Sequence, residues 1–424
     1  MEYSKEEINK KAEYCLGCKV KMCTKGCPLG NDITQFIAYV KEKKYEQAYH
    51  ILCNTSVLSP ICGRICPHKS QCEGACVRGI KGDPVCIGEL EAYVGDMGIE
   101  KQYQIPKFSE EKKEKRIAVI GGGPAGLTAA AWLIRNGYEV TIYEKYDKLG
   151  GILRHGIPEF RLEKEILDKQ IQKIIDLGIK VQYQKSLGKD YVLEALEKEY
   201  DAIFLGIGAN ISAKMGIEGE ELQGVYGGNE LLEYKLPIEY IGKKVVVIGG
   251  GNVAMDTART IKRLGAKEVN IVYRRAEKQM PAERKEIEAA KQEGIQFLFQ
   301  TNVIKVIGAN KVEKVECIKT ELVKKEGEAR EVPVDIIGSN FIMDTDYVVM
   351  AVGSKPEEGI VHSLGLELTS KGNIKIDENY RTSRKKVFAG GDICGVKATV
   401  AWASRSGREA ARAIMQFLEE GKSN

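Results

Sequence analysis

The segment RIAVIGGGPAGLTAAAWLIRNGYEVTIYEK, from Arg116 to Lys145, reads as strand, glycine turn, helix, strand. The same design returns as KKVVVIGGGNVAMDTARTIKRLGAKEVNIVYRR, from Lys243 to Arg275. Few folds accept this pattern: a parallel strand must feed a helix through a turn that only glycines can make. Each unit is followed by a short apolar strand ending in glycines, YDAIFLGIGAN after the first and TDYVVMAVGSKPE after the second. The order unit, closing strand, unit, closing strand predicts an α/β chain in which one Rossmann-like dinucleotide-binding domain is inserted into another.

The two units differ where chemistry is decided. In the first, Gly121, Gly123 and Gly126 form G-x-G-x-x-G ahead of a helix opened by Pro124 and Ala125. The turn brings backbone and helix N-terminus to a pyrophosphate. The following strand ends in Glu144, an acceptor for a ribose diol. In the second, the pattern is Gly249, Gly251 and Ala254 with Asn252 and Val253 between, and the strand ends in Arg274 and Arg275. Guanidinium groups suit a ribose 2′-phosphate and favour NADP(H) over NAD(H). Gly353, in the second closing strand, is counted with this site. FAD for the first unit and NADPH for the second is the economical assignment. The tail AGGDICG puts Gly391 and Asp392 at the end of a strand, where an acid can reach a flavin ribityl chain. Thr399 and Val400 then open a long helix whose N-terminus favours negative charge on a reduced ring.

Ten of the twelve cysteines lie before residue 90. The stretch MEYSKEEINKKAEY is charged and unlike an export signal, and no apolar run is long enough to span a bilayer. A cytoplasmic location is expected, so clustered thiols point to metal rather than disulfides. The net charge of +4 gives no electrostatic case for nucleic acid or a membrane. The first set is Cys15, Cys18, Cys23 and Cys27, spaced C-x2-C-x4-C-x3-C-P. The second is Cys62, Cys66, Cys72 and Cys76, spaced C-x3-C-x5-C-x3-C. Zinc is the rival to iron–sulfur. Zinc has no redox role, whereas a flavin beside iron–sulfur clusters makes a relay, so two [4Fe–4S] clusters are expected. Cys53, Cys86 and Cys317 read as apolar thiols, and Cys394 has no C-x-x-C partner for a redox dithiol. The domains follow as 1–112, helical and cysteine-rich; 113–232 with 346–424, for FAD; and 233–345, for NADPH.

The segments CGRICPHKSQCEGAC, IGGGPAGL, GGILRHGIPEFRL, IGGGNVAMDTART, VYRRAEKQMPAE and AGGDICG together resemble the small (β) subunit family of NADPH-dependent glutamate synthase. Related modules are the NADPH-binding subunit of a flavin-bifurcating ferredoxin:NADP oxidoreductase and the electron-input half of dihydropyrimidine dehydrogenase. The resemblance implies FAD, NADPH and two [4Fe–4S] clusters, with electrons leaving to a flavin-containing partner. That partner would be a glutamate synthase large subunit or a ferredoxin-reductase-like one. It also implies interleaved ligands: Cys15, Cys18, Cys23 and Cys76 for one cluster; Cys27, Cys66, Cys72 and Glu91 for the other. Cys62 is then spare; a plain four-plus-four division is the alternative. Gly151 and Arg161 match flavin-contacting positions in the loop GGILRHGIPEFRL. His155 in that loop needs no acid–base role, because hydride transfer to a flavin requires no protein base. A zinc-stabilised flavin disulfide reductase is the competing reading from another class.

Overall fold

A computed structural model describes residues 4–234, 236–324 and 331–420. The chain forms two compact units. Unit 1 comprises Met1–Arg154, Glu159–Ala209 and Pro356–Asn424; unit 2 comprises His155–Pro158 and Asn210–Lys355.

Unit 1 begins with helices α1 (Lys5–Glu13), α2 (Met22–Gly26), α3 (Ile33–Lys41), α4 (Tyr45–Cys53), α5 (Ser59–Ile65) and α6 (Ile87–Glu100). Local signals fix their starts. Ser4 and Glu7 form a capping box on α1, and Asp32 accepts the Gln35 amide at the head of α3. Ile33, Phe36, Ile37 and Val40 recur at three and four and are buried, which turns α3 inward. The helical reading of this region agrees with the fold.

A five-stranded parallel sheet follows, built on β1 (Arg116–Ile120), β2 (Glu139–Tyr143), β3 (Lys180–Gln182) and β4 (Ala202–Leu205). Its order is Val387–Ala389, β4, β1, β2, β3. In register, Ile117 lies opposite both Val140 and Ala202. Ile117 to Ile120 are all buried, as expected where helices cover both faces. Helix α7 (Pro124–Arg135) and the C-terminal helix Val400–Glu420 pack against each other beside this sheet.

Arg135 ties the helical region to the flavin-type sheet. Its guanidinium is buried and donates to the carbonyls of Pro106 (2.6 Å) and Cys53 (2.8 Å). It also lies 3.8 Å over the Phe108 ring. Burial pulls its pKa down to about 10.

Unit 2 holds a second parallel sheet in the order Val225–Gly227, Tyr347–Met350, Lys244–Ile248, Glu268–Tyr273, Gln296–Phe299. A separate antiparallel sheet pairs Thr301–Ile307, Lys314–Val323, Val332–Asp335 and Phe341–Asp344. This second sheet did not figure in the sequence reading. Cys317 lies buried in it, on Lys314–Val323. Unit 2 runs over Asn210–Lys355, against the 233–345 drawn from sequence. The closing strand Tyr347–Met350 hydrogen-bonds to Lys244–Ile248, and Val225–Gly227 extends the same sheet, so both belong with the unit they complete.

Candidate functional site

The first cradle is made by the turn between β1 and α7. Gly121 sits at φ +96°, where L side chains are strained. A Cβ on Gly126 would fall 1.9 Å from the Gly121 carbonyl oxygen, so helix and turn close only with glycine there. In front of Gly123 a Cβ would meet nothing nearer than 3.9 Å, which leaves the backbone open to a ligand. Pro124 and Ala125 form the first turn of α7, with its free amides facing that space. Glu144, just past β2, is buried and accepts the amides of Gly122 (2.8 Å) and Tyr146 (3.0 Å). A carboxylate oxygen can accept more than one hydrogen bond, which suits this side chain to a ribose diol. Gly151 approaches Gly123 backbone to backbone, and Arg161 is half-buried in the loop before the helix Lys164–Ile175.

Asp392 carries the most informative atom of this site. It follows Gly391, whose amide is held by the Ser406 hydroxyl at 2.8 Å. Its Oδ1 is buried without any hydrogen-bond partner. Burial alone pushes its pKa up to about 6. A buried carboxylate oxygen with no donor is costly, and the hydroxyl of a ligand removes that cost. Thr399 receives the Trp402 amide at 3.4 Å, and Val400 opens the C-terminal helix. These residues fit FAD.

The second cradle lies wholly in unit 2. Gly249 sits at φ +139°, and the space before Gly251 is open to at least 4 Å. Asn252, Val253 and Ala254 form the first turn of the helix Asn252–Arg263. The Asn252 side chain receives the Glu283 amide at 3.0 Å, and Ala282 donates to the Gly250 carbonyl at 3.1 Å. The segment after VYRR is thereby folded back onto the glycine turn. Arg274 is exposed and Arg275 half-buried at the end of Glu268–Tyr273. Among the described residues neither guanidinium has a carboxylate partner, and Arg275 Nε is buried without an acceptor. Two unpaired cations beside a dinucleotide turn suit a phosphate dianion. Gly353, at φ +140°, receives the Ala213 amide on its carbonyl at 2.9 Å. The donor set fits NADP(H).

The cysteines fall into two groups, and neither is one of the two sequence runs. Cys15, Cys18, Cys23 and Cys76 line a single pocket with Leu16, Met22, Ile37, Val77 and Ile87. Lys41 donates to the Cys15 carbonyl at 2.6 Å and Arg78 to the Tyr14 carbonyl at 3.0 Å, which sets cations beside it. In the second group the charge of Glu91 bears on Cys27, Cys66 and Cys72 together. Burial first, then Glu91, pushes the Cys27 thiol up to about 11 and Cys72 higher still. Burial lifts the Glu91 carboxyl to about 8, opposed by a hydrogen bond from Asn31 at 3.3 Å. Three thiols and a carboxyl, all but the half-buried Cys27 buried, fit a positively charged iron centre. Among the described residues, no three His, Cys, Asp or Glu side chains converge as they would on a single metal ion. Ligands of a cubane grip different corners and stand farther apart.

Sequence reasoning missed three things here. Cys62, expected to be spare, lies against Cys66 and near Cys27 as a fourth thiol of the second group. Asn31, itself bonded to the Thr55 hydroxyl, orients Glu91. Arg405 and Arg408 on the C-terminal helix donate to the carbonyls of Pro28 (3.3 Å) and Leu29 (2.8 Å), directly after Cys27. They tie the second thiol group to the helix that opens at Val400.

Residues 115–416 match the family model described as pyridine nucleotide-disulphide oxidoreductase. Residues 1–103 match dihydropyrimidine dehydrogenase domain II, 4Fe-4S cluster. The glutamate synthase [NADPH] small chain of Escherichia coli is 35% identical over 439 residues, covering 98% of this chain and 93% of that one. The chain belongs to the glutamate synthase small-chain family. The Halomonas elongata small chain is similar at 34% identity, over 98% and 92% of the two chains. The NADP(+)-dependent formate dehydrogenase subunit beta of Moorella thermoacetica is 33% identical over 94% of this chain and 60% of its own. Mycobacterium tuberculosis FprA in complex with NADPH shares the fold, at TM-score 0.66 and 20% identity, over 73% of this chain and 86% of that one. Family membership makes the chain an NADPH-dependent oxidoreductase with FAD, NADP(H) and [4Fe–4S] cofactors. The relatives named as small chains and beta subunits are parts of multisubunit enzymes, so a partner subunit belongs to the picture. No helix among the described residues is long and apolar enough to cross a membrane.

Proposed function

We propose that this protein is the electron-input subunit of a glutamate synthase-type enzyme, feeding a flavin-containing partner from NADPH. The observation that carries this reading is the tie inside unit 1. Arg405 and Arg408 bind one helix, headed by the FAD-cradle residue Val400, to the backbone just after Cys27. When bound, FAD takes a hydride from NADPH and releases single electrons, which iron–sulfur clusters carry. The residues bind and tune: Gly121, Gly123 and Gly126 admit the pyrophosphate, Glu144 takes the ribose, and Asp392 takes a ribityl hydroxyl. Gly151 and Arg161 complete the flavin loop, and Arg274 and Arg275 hold the 2′-phosphate. Cys15, Cys18, Cys23 and Cys76 hold one cluster. Cys27, Cys66, Cys72 and Glu91 hold the other.

The fourth ligand of the second cluster is the sharpest point of this scheme, since both Glu91 and Cys62 are at hand. With Glu91 as ligand, Cys62→Ser retains full iron and acid-labile sulfide, while Glu91→Ala loses or converts one of two EPR signals. The opposite pattern would hand the position to Cys62. A yellow protein containing zinc and no acid-labile sulfide would sink the cluster assignment altogether.

Asp392→Asn separates ligand binding from a structural role. It removes an uncompensated buried charge, so the flavin-free protein should melt higher than wild type. FAD should be held more weakly by roughly 10-fold or more, the loss of one charged hydrogen bond of about 1.5–3 kcal/mol. A lower melting point together with unchanged flavin affinity would refute the ribityl role.

A further inference from the structure

We propose that the surface around Cys15, Cys18, Cys23 and Cys76 is the docking face for an electron-accepting protein. The partner it fits carries its redox centre in an apolar patch ringed by carboxylates. The proposal rests on the reading that these four thiols hold a cluster.

Three observations carry it. The first is an apolar surface grouped on the cysteine segments themselves. Leu16 is 56% exposed, Val20 62%, Met22 42% and Ile80 76%. Leu16 stands between Cys15 and Cys18, Val20 and Met22 between Cys18 and Cys23, and Ile80 four residues after Cys76. Leu16 and Met22 line the same pocket as the four thiols. Single exposed apolar residues are ordinary, but a group of them over one redox site marks an interface.

The second is charge. The stretches 14–26 and 77–82 contain Lys19, Lys21, Lys25, Arg78 and Lys81 and no Asp or Glu. Lys21 is paired with Asp32 at 2.7 Å, and Arg78 stacks 4.2 Å over Tyr14. Lys19, Lys25 and Lys81 are exposed and have no carboxylate partner among the described residues. Glu13 and Asp83 flank the stretches without cancelling this excess. An apolar centre with a cationic rim selects a partner of opposite rim and steers its approach.

The third is direction. The other thiol group is the deeper one, with Cys66 and Cys72 buried, and its neighbours Pro28 and Leu29 are held by the C-terminal helix. Cys15, Cys18, Cys23 and Cys76 are partly exposed. The deep group thus faces the flavin helix, and the shallow group faces outward. Electron transfer falls steeply with distance, so an acceptor gains most by covering this face. The step balances simply: the outer cluster is oxidised by one electron, the partner centre is reduced by one, and no bond forms or breaks.

The test uses the holoprotein with two probes of opposite charge, an acidic plant-type [2Fe–2S] ferredoxin and a basic mitochondrial-type cytochrome c. Binding is measured by calorimetry at low and high salt. Wild type should bind the ferredoxin more tightly than the cytochrome, and lose affinity as salt rises. Lys19→Glu, Lys25→Glu and Lys81→Glu combined should raise the ferredoxin Kd at least tenfold. The EPR signals of the reduced clusters should be unchanged. Leu16→Ser with Ile80→Ser should weaken binding without altering its salt dependence. Equal binding of both probes, or ferredoxin binding indifferent to the triple reversal with both signals intact, overturns the docking face alone. A wild-type holoprotein without [4Fe–4S] signals overturns the cluster reading beneath it.

Discussion

Valine in place of Gly26 is expected to cost the protein both iron–sulfur clusters at once. Gly26 ends α2 between Cys23 and Cys27, which belong to different thiol groups. A Cβ there would lie 2.7 Å from both the Ala75 Cβ and the Gln71 carbonyl oxygen. Those contacts are main chain or the first side-chain atom, so no flexible side chain can swing away. The segment Gln71–Ala75 must shift instead, and it carries Cys72 of one group and leads into Cys76 of the other. Overpacking of this kind costs about 1–3 kcal/mol in a core. Here the larger effect is geometric, because metal ligation tolerates displacement poorly. Iron and labile sulfide should fall to less than half of wild type, and both EPR signals should disappear. The FAD cradle lies elsewhere, so flavin content and its bleaching by NADPH should survive while one-electron acceptors are no longer reduced. A Gly26→Val protein with its full iron complement would show that the two segments are not held at this contact.

The same contact explains what a linear reading could and could not reach. The dinucleotide units are legible because every requirement is local. A strand, a glycine at positive φ, a close approach such as Gly126 on Gly121 and the charge ending the next strand all fall within thirty residues. The division of the thiols is not local. Spacing groups Cys27 with Cys23, yet the chain places Cys27 beside Glu91, sixty-four positions away, where Asn31 of the same segment bonds that carboxyl. Only the family resemblance suggested that exchange. Nothing in NDIT marks Asn31 as the residue that orients Glu91, since Asp32 supplies the visible helix signal. Nor does an arginine in an alanine-rich helix declare which carbonyl it will reach, as Arg408 does with Leu29. Val225–Gly227 is likewise hard to read from sequence: it is three residues long, and only its pairing with Tyr347–Met350 gives it away.

Replacing both Arg274 and Arg275 by alanine is expected to erase the preference for NADPH. The two guanidinium groups end the strand Glu268–Tyr273 with no carboxylate partner among the described residues. Charges left unpaired at a nucleotide turn are available to the 2′-phosphate, the one group by which NADPH differs from NADH. A charged hydrogen bond is worth about 1.5–3 kcal/mol, less where water screens it. Arg274 is exposed and belongs at the low end; Arg275, half-buried, belongs higher. Together they should contribute about 2–4 kcal/mol, which is roughly a 30-fold or greater rise in KM for NADPH. NADH lacks the phosphate, so its KM should change by no more than a few-fold. The rate of flavin bleaching at saturating nucleotide should hold for both, because the arginines bind the adenosine end and touch no reacting atom. That split between KM and the limiting rate is what separates phosphate recognition from mere damage to the fold, which would lower both nucleotides alike. Arg275→Lys keeps the charge but loses the planar fork, and should recover only part of the lost affinity. If the double variant still prefers NADPH as wild type does, the phosphate is held by other residues and the assignment of these two arginines fails.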